Sequence, residues 1–347
     1  MTEETIKILA KAGDTPLTTS ALPFSAARED HSRGVQRFAW LVLIYNVAVI
    51  LWGSIVRATG SGAGCGEHWP LCNGTVMQHS PRIETIIELT HRVTSGIALV
   101  AMLALLAWTF ASTAKRHLAR FFVIAAAVLT FNEALLGALL VLLGKVAHDQ
   151  SASRAVYLSL HLANTLLLLA ALAFTAHFLS RERGFMRGSV EYRAQGVASI
   201  GLLATLFVGV SGSLAALGDT LFPATSLGAA LAQDFSAKSG WLLRIRWLHP
   251  SLGFLAGAFI CWLIFTSAWR GRNRSLAMGV VGLLALQYLL GFADVALLAP
   301  TWMQIVHLLG ADLLWIALVV LTARVCIVPI GCTESICHLP FAGLRSK

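Results

Sequence analysis

A chain of 347 residues with 12% charged and 57% hydrophobic residues, at a mean hydropathy of +0.74, carries about half the charge of an ordinary soluble domain. Too few charges exist to cover a water-exposed surface of that size, so lipid must solvate much of the chain. The formal net charge of +9 does not indicate nucleic acid, because the basic residues sit in short loops between apolar runs, where they act as topology determinants.

Taken in chain order, residues 1–37 are polar and of mixed charge and read as a cytoplasmic N-terminal tail without a cleavable signal peptide. Eight apolar runs follow, at about 38–57, 85–108, 121–144, 155–178, 195–217, 243–268, 275–298 and 302–325. Each is long enough to cross a ~30 Å hydrocarbon core as a helix. Most of the 26 Lys and Arg residues fall on the side that receives both tails and the loops after even-numbered spans. The positive-inside rule therefore places both termini in the cytoplasm.

The expected fold is an all-α integral membrane protein, a multi-pass protein of the cell (inner) membrane. Its eight transmembrane helices form two repeated four-helix bundles. The corresponding division is a tail at 1–37, an N-terminal four-helix half at 38–180, a cytoplasmic linker at 181–194, a C-terminal four-helix half at 195–325 and a cytoplasmic tail at 326–347.

The repeat rests on three correspondences. Glu88-Leu89-Thr90-His91-Arg92 opens span 2, and Arg246-Trp247-Leu248-His249-Pro250 opens span 6. Leu135-Leu136-Gly137 in span 3 matches Leu289-Leu290-Gly291 in span 7, and Leu160-His161-Leu162 in span 4 matches Val306-His307-Leu308 in span 8. The offset shortens slowly along the chain, as changes in loop length would produce. Both copies run the same way, which makes this a parallel repeat about an axis along the membrane normal.

His91, His161, His249 and His307 thus enter the membrane from the outer side on four repeat-related helices, each one to two turns into its span. One such histidine could merely donate to a backbone carbonyl. Four at matching depth point to metal or cofactor binding, since polar groups there are costly. One histidine from each of two facing helices suits axial ligation of haem iron, giving two haems near the outer face. Zinc would require further close ligands, and neither Cys nor Asp adjoins these histidines. Gly96, Ala98, Gly137, Ala138, Gly253, Gly257 and Gly291 would leave room for a flat macrocycle. The other histidines, His177 among them, read as solvated or interfacial.

Glu88 lies three residues before His91, hence on the same helix face one turn further out. It reads either as a carboxylate at a helix N-terminus, favoured by the dipole, or as an acid or charge stabiliser beside the first haem. The second half has Arg246 at that place, so the two sites are expected to do different jobs. Cys65 and Cys72 flank the first outer loop. A disulfide, a metal pair and a redox-active dithiol are all open readings there. Arg57, Arg92, Arg244 and Arg246 are candidates for haem propionate partners or for interface anchors.

These motifs resemble haem A synthases: the Glu88-x-x-His91-Arg92 opening, the Cys65…Trp69-Pro70-Leu71-Cys72-Asn73-Gly74 loop and the repeated histidine pairs, over about residues 38 to 325. The resemblance implies oxidation of a ring methyl of haem O to a formyl group, giving haem A for terminal oxidases. It implies His91 and His161 in the substrate pocket, His249 and His307 ligating a haem b cofactor, Glu88 as the catalytic glutamate, and Cys65 with Cys72 as the family's outer-loop cysteine pair. Implied partners are the lipid bilayer, the enzyme that produces haem O, an electron donor and the terminal oxidase assembly machinery, with no nucleic acid. One departure stands out: many relatives have a second cysteine pair between spans 5 and 6, where residues 218–242 here have none. The rival reading is a di-haem b membrane electron carrier without chemistry of its own. The matched depth of the four histidines serves such a transmembrane wire poorly.

Overall fold

A computed structural model describes residues 22–75, 80–147, 149–180, 192–266 and 273–326, with side chains described from Arg33 onward, apart from 192–195, 266 and 326. Most of the N-terminal tail, most of the 181–194 linker and nearly all of the C-terminal tail lie outside these residues. So do His79, His148, Cys332, Cys337 and His338, and the side chain of His31.

Eight helices among the described residues are long and apolar enough to cross a membrane. They are α1 (Leu22–Ala58), α2 (Ile83–Ser112), α3 (Leu118–Leu142), α4 (Ala152–Leu179), α5 (Tyr192–Leu221), α6 (Leu248–Thr266), α7 (Arg274–Ala296) and α8 (Thr301–Cys326). No β-strand occurs among the described residues; one isolated bridge pairs Cys72 with Thr75. The expected all-helical class is therefore what the chain adopts.

The outward faces show why these helices belong in lipid. On α2 the exposed residues include Val93, Ile97 and Val100, and on α3 Phe121, Ile124, Val128, Phe131 and Leu135. Those spacings of three and four mark one helix face, and here that face is apolar and turned outward, opposite to a soluble helix. The inward face of α3 carries smaller residues, Ala119, Val123, Ala126, Thr130 and Ala138. Small side chains let neighbouring backbones approach where lipid offers no hydrophobic drive to associate.

In the first half α1 packs on α2, α2 on α3, α3 on α4 and α4 back on α1, closing a four-helix ring. In the second, α5 packs on α6 and α8, and α8 on α7, whereas α6 and α7 touch sparsely. The halves meet where α4 and α8 pack on each other, α4 on α5 and α8 on α1. Burial follows this position: 72% of the apolar window of α4 is buried, against 22% for α2. The Trp315 indole donates across the seam to the Leu166 carbonyl at 2.7 Å.

Three boundaries differ from expectation for local reasons. α1 runs back to Leu22, because the stretch before its apolar part contains good helix formers such as Ala26, Ala27, Arg28 and Glu29. The sixth span begins as a single helical turn, Trp241–Arg244, passes through a 3-10 turn, Ile245–Trp247, and only then becomes α6. Pro250 falls in the first turn of α6, where a missing N–H leaves nothing unpaired. The stretch 218–242 is not all loop, for Leu227–Phe235 is a short helix whose Ser226 side chain accepts from the Ala229 N–H. His177 is 5% exposed rather than solvated, because it lies on the central helix α4.

Candidate functional site

The four histidines lie on α2, α4, α6 and α8, six to nine residues past the start of their spans at Ile83, Ala152, Trp241 and Thr301. At 1.5 Å per residue this is roughly 9–14 Å inward. His91 and His161 are close enough to interact electrostatically. The rings of His249 and His307 lie 6.1 Å apart between centroids and are nearly perpendicular. The structure thus brings His249 and His307 together and sets His91 and His161 within electrostatic range of each other.

Behind each imidazole stands a glycine from the helix before it. A Cβ added at Gly53 of α1 would lie 3.0 Å from the His91 ring, and one at Gly212 of α5 would lie 2.9 Å from His249. Gly291 of α7 would meet His307 at 3.2 Å, and Gly137 of α3 would meet His161 at 3.8 Å. The glycines set how close each ring sits to the neighbouring backbone. Of the glycines expected to make room, Gly137 and Gly291 serve in this way. Gly96 and Gly253 face nothing within 4 Å, and Gly257 stands against Tyr288.

The polar environment of the rings tests whether they can ligate iron. His249 Nδ1 lies 3.1 Å from the Val208 carbonyl. A carbonyl can only accept, so Nδ1 carries the proton and Nε2 keeps its lone pair. Nδ1 of His91, His161 and His307 is buried without a hydrogen-bond partner. Two imidazoles sharing one metal through bonds of about 2 Å have ring centres roughly 6 Å apart, as His249 and His307 do. Among the described residues no three of His, Cys, Asp and Glu gather as a multidentate metal site. The paired imidazoles and their glycine backing would suit a haem, whose iron the ring nitrogens would hold.

Glu88 does not occupy the first turn of α2. The helix begins at Ile83, so the dipole reading passes to Glu84. Glu88 is 3% exposed. Its Oε1 pairs with Arg92 Nη2 at 2.5 Å, and its Oε2 accepts from the Cys65 N–H at 2.8 Å. Arg92 Nη1 donates to the carbonyls of His68 at 2.7 Å, Leu71 at 3.1 Å and Pro70 at 3.3 Å. The carboxylate above His91 is thereby locked to the loop that carries the cysteines. Cys65 and Cys72 are both buried, with their Sγ atoms 2.00 Å apart.

The remaining arginines also have protein partners. Arg57 donates to the Ala216 carbonyl and Thr220 at 2.8 Å and to Gln304 at 2.6 Å, tying α1 to α5 and α8. Arg246 pairs with Asp219 at the end of α5 and Asp234 of the short helix, both at 2.6 Å. Arg244 donates to the Ala237 carbonyl at 2.8 Å. The connection between α5 and α6, which lacks cysteines, is therefore held by a three-residue ion cluster and by Phe235 against Trp247, 5.2 Å between ring centroids.

Two residues escaped the sequence reading. Glu133 Oε1 of α3 lies 3.4 Å from His161 Nδ1, and Gln287 of α7 donates to the His307 carbonyl at 2.9 Å. A carboxylate inside a span is a functional signal by itself, and that signal was present in the sequence.

The chain also matches known proteins in sequence. Residues 36–319 match the family model COX15-CtaA, described as cytochrome oxidase assembly protein. The chain is 45% identical over 291 residues to a protoheme IX farnesyltransferase of Thermus thermophilus, over 82% of this chain and 47% of that protein. It is 49% identical over 82 residues to the heme A synthases of Bacillus mycoides and Bacillus cereus, over 22% of this chain and 26% of those proteins. The chain thus spans about half the length, or less, of these curated relatives. With the family model covering most of the chain, including all four histidines and Glu88, the protein belongs to the COX15-CtaA, or haem A synthase, family.

Proposed function

We propose that the protein is a haem A synthase that oxidises a ring methyl of haem O to the formyl group of haem A. The observation that carries this reading is the presence of two imidazole pairs, each backed by glycines, within a chain matched to the family from 36 to 319. His249 and His307 would hold a resident haem b through their ring nitrogens. When bound, haem b supplies one-electron chemistry. His91 and His161 would orient haem O so that its reacting methyl lies in the first pocket. Conversion of methyl to formyl would take two hydroxylations of one carbon and loss of water; each hydroxylation would take one oxygen atom from dioxygen, the second oxygen atom leaving as water with two electrons and two protons from a donor outside the chain.

Glu88 would supply fixed negative charge one turn above His91, about 4.5 Å along the helix axis. The Cys65 N–H and Arg92 hold it there, so it needs no reorganisation as charge develops on the substrate. Cys65 and Cys72 would form a disulfide that keeps the loop over this carboxylate. Arg57, Arg92, Arg244 and Arg246 would reach haem propionates by sharing the contacts they already make. The same reading places the histidines toward the outer face of the cell membrane and both termini in the cytoplasm. It treats the two four-helix halves as a repeat and places the product in terminal oxidase assembly.

The Thermus name raises prenyl transfer as a second reading. Only 47% of that protein is aligned, which leaves ample chain outside the match for a separate activity. Prenyl transfer from a diphosphate calls for carboxylates grouped around divalent cations. Among the described residues no three such groups gather, which favours the synthase.

The test is expression in cells that make haem O, followed by pigment extraction. Haem A should accumulate with the wild type and disappear in Glu88→Ala while haem b stays bound. Haem b in both sites with no haem A would reject the synthase and favour the electron carrier. Farnesylated product without haem A would favour prenyl transfer.

A further inference from the structure

The carboxylate beside His161 has a built setting. Asn164 Nδ2 donates to Glu133 Oε2 at 2.5 Å, and Thr165 Oγ1 lies 2.5 Å from Oε1. Asn164 is itself fixed, donating to the Leu129 carbonyl at 2.9 Å and accepting from Asn132 Nδ2 at 2.7 Å. Asn164 and Thr165 are 5% and 4% exposed, so these bonds are made away from water. His161 Nδ1, 3.4 Å from Glu133 Oε1, has no hydrogen-bond partner. At this separation the carboxylate stands beside Nδ1 without a close hydrogen bond.

The second half lacks every part of this. Glu133 stands four residues before Gly137, and Gln287 stands four before Gly291. Asn164 and Thr165 stand three and four residues after His161, where His307 is followed by Gly310 and Ala311. Gln287 fills the room left by Gly310, donates to the His307 carbonyl, and brings its amide nitrogen to 3.4 Å from His307 Nε2. One histidine therefore faces a fixed carboxylate and its counterpart faces a neutral amide.

A carboxylate beside the outer nitrogen of a ligating imidazole orients the ring and makes it a stronger donor to the metal. Nearby negative charge also favours the more oxidised iron, and Glu133 at 22% side-chain exposure is only partly screened by solvent. We propose that Glu133 is a positioning residue for His161 that lowers the reduction potential of iron bound in the N-terminal half, a bias that Gln287 does not give the C-terminal half. The proposal rests on the reading of His161 as an iron ligand. Its consequence would be a contribution from Glu133 that favours the oxidised form of iron held by His161, with no like contribution from Gln287 to iron held by His307.

The experiment is a redox titration of the full chain loaded with haem in both halves, with the two haems resolved by their low-temperature optical and paramagnetic spectra. Glu133→Gln should raise the midpoint potential of the N-terminal haem and leave the C-terminal one unchanged, and Glu133→Asp should restore part of the shift. The converse variant, Gln287→Glu, should lower the potential of the C-terminal haem. An unmoved N-terminal potential in loaded Glu133→Gln overturns the proposal. Should Glu133→Gln fail to load or fold, Gln287→Glu decides: a lowered C-terminal potential supports the proposal and an unmoved one overturns it. His161→Ala separates the underlying reading, for an N-terminal haem with unchanged spectrum in that variant refutes the ligand assignment itself.

Discussion

The two halves present the same four-part device, a histidine pair with a glycine behind each ring, in different electrostatic surroundings. Around His91 and His161 stand two carboxylates, Glu88 and Glu133, each fixed by named donors. Around His249 and His307 stand a backbone carbonyl and an amide, and Asp219, within electrostatic range of His249, is paired with Arg246, which also holds Asp234. If both pairs hold haem, as proposed, the shared scaffold would set where each macrocycle sits, and charge already in position around the first pair would set it apart as the reacting one.

The comparison can be broken most forcefully at the ligands. His91→Ala or His161→Ala should abolish haem A formation while haem b remains; product formation at wild-type rate from either variant contradicts the assignment of the substrate pair.

The connections between α1 and α2 and between α5 and α6 offer a second contrast. In the first, Cys65→Ser should cost about 2–3 kcal/mol and expose the 65–72 segment to protease, and a reductant should reproduce this in the wild type. In the second, the reductant should have no effect, whereas Arg246→Ala should loosen Leu227–Phe235 at a cost of about 1–3 kcal/mol, since it strands two partly buried carboxylates. Limited proteolysis with and without reductant measures both.

The glycines give a graded series. Gly212→Ala and Gly53→Ala, where the new methyl would press the ring at 2.9 and 3.0 Å, should each cost about 1–3 kcal/mol through overpacking. Gly212→Ala should perturb the haem b spectrum and Gly53→Ala should not. Gly137→Ala, at 3.8 Å, should be nearly silent. Equal effects at all three positions would mean that the glycines do not set ring placement. Smallest of all, Lys145→Ala removes a partly exposed pair with Asp149 at 3.4 Å and should change thermal stability by less than ~1 kcal/mol.

Much of this architecture is legible in the chain. Long apolar runs and rare intramembrane histidines are strong signals because lipid penalises every exception to them. Gly53 and Gly212 are not legible in the same way. Glycine is common in membrane helices, and only packing separates these two from Gly96 and Gly253, which face open space. Glu133 is visible as a buried-span carboxylate, yet its partner is not, since the register of α3 against α4 is fixed by side-chain packing across two helices. Glu88 shows the reverse: its proximity to His91 follows from spacing alone, while its capture by Arg92 and the Cys65 N–H depends on how the loop folds back.

The central claim is that the two histidine pairs have different occupants, and haem b content after paired ligand removal tests it most directly. The double variant His91→Ala with His161→Ala should retain the resident haem b in full, and His249→Ala with His307→Ala should retain none. Equal loss from both, or haem b surviving the second, would contradict the division of labour.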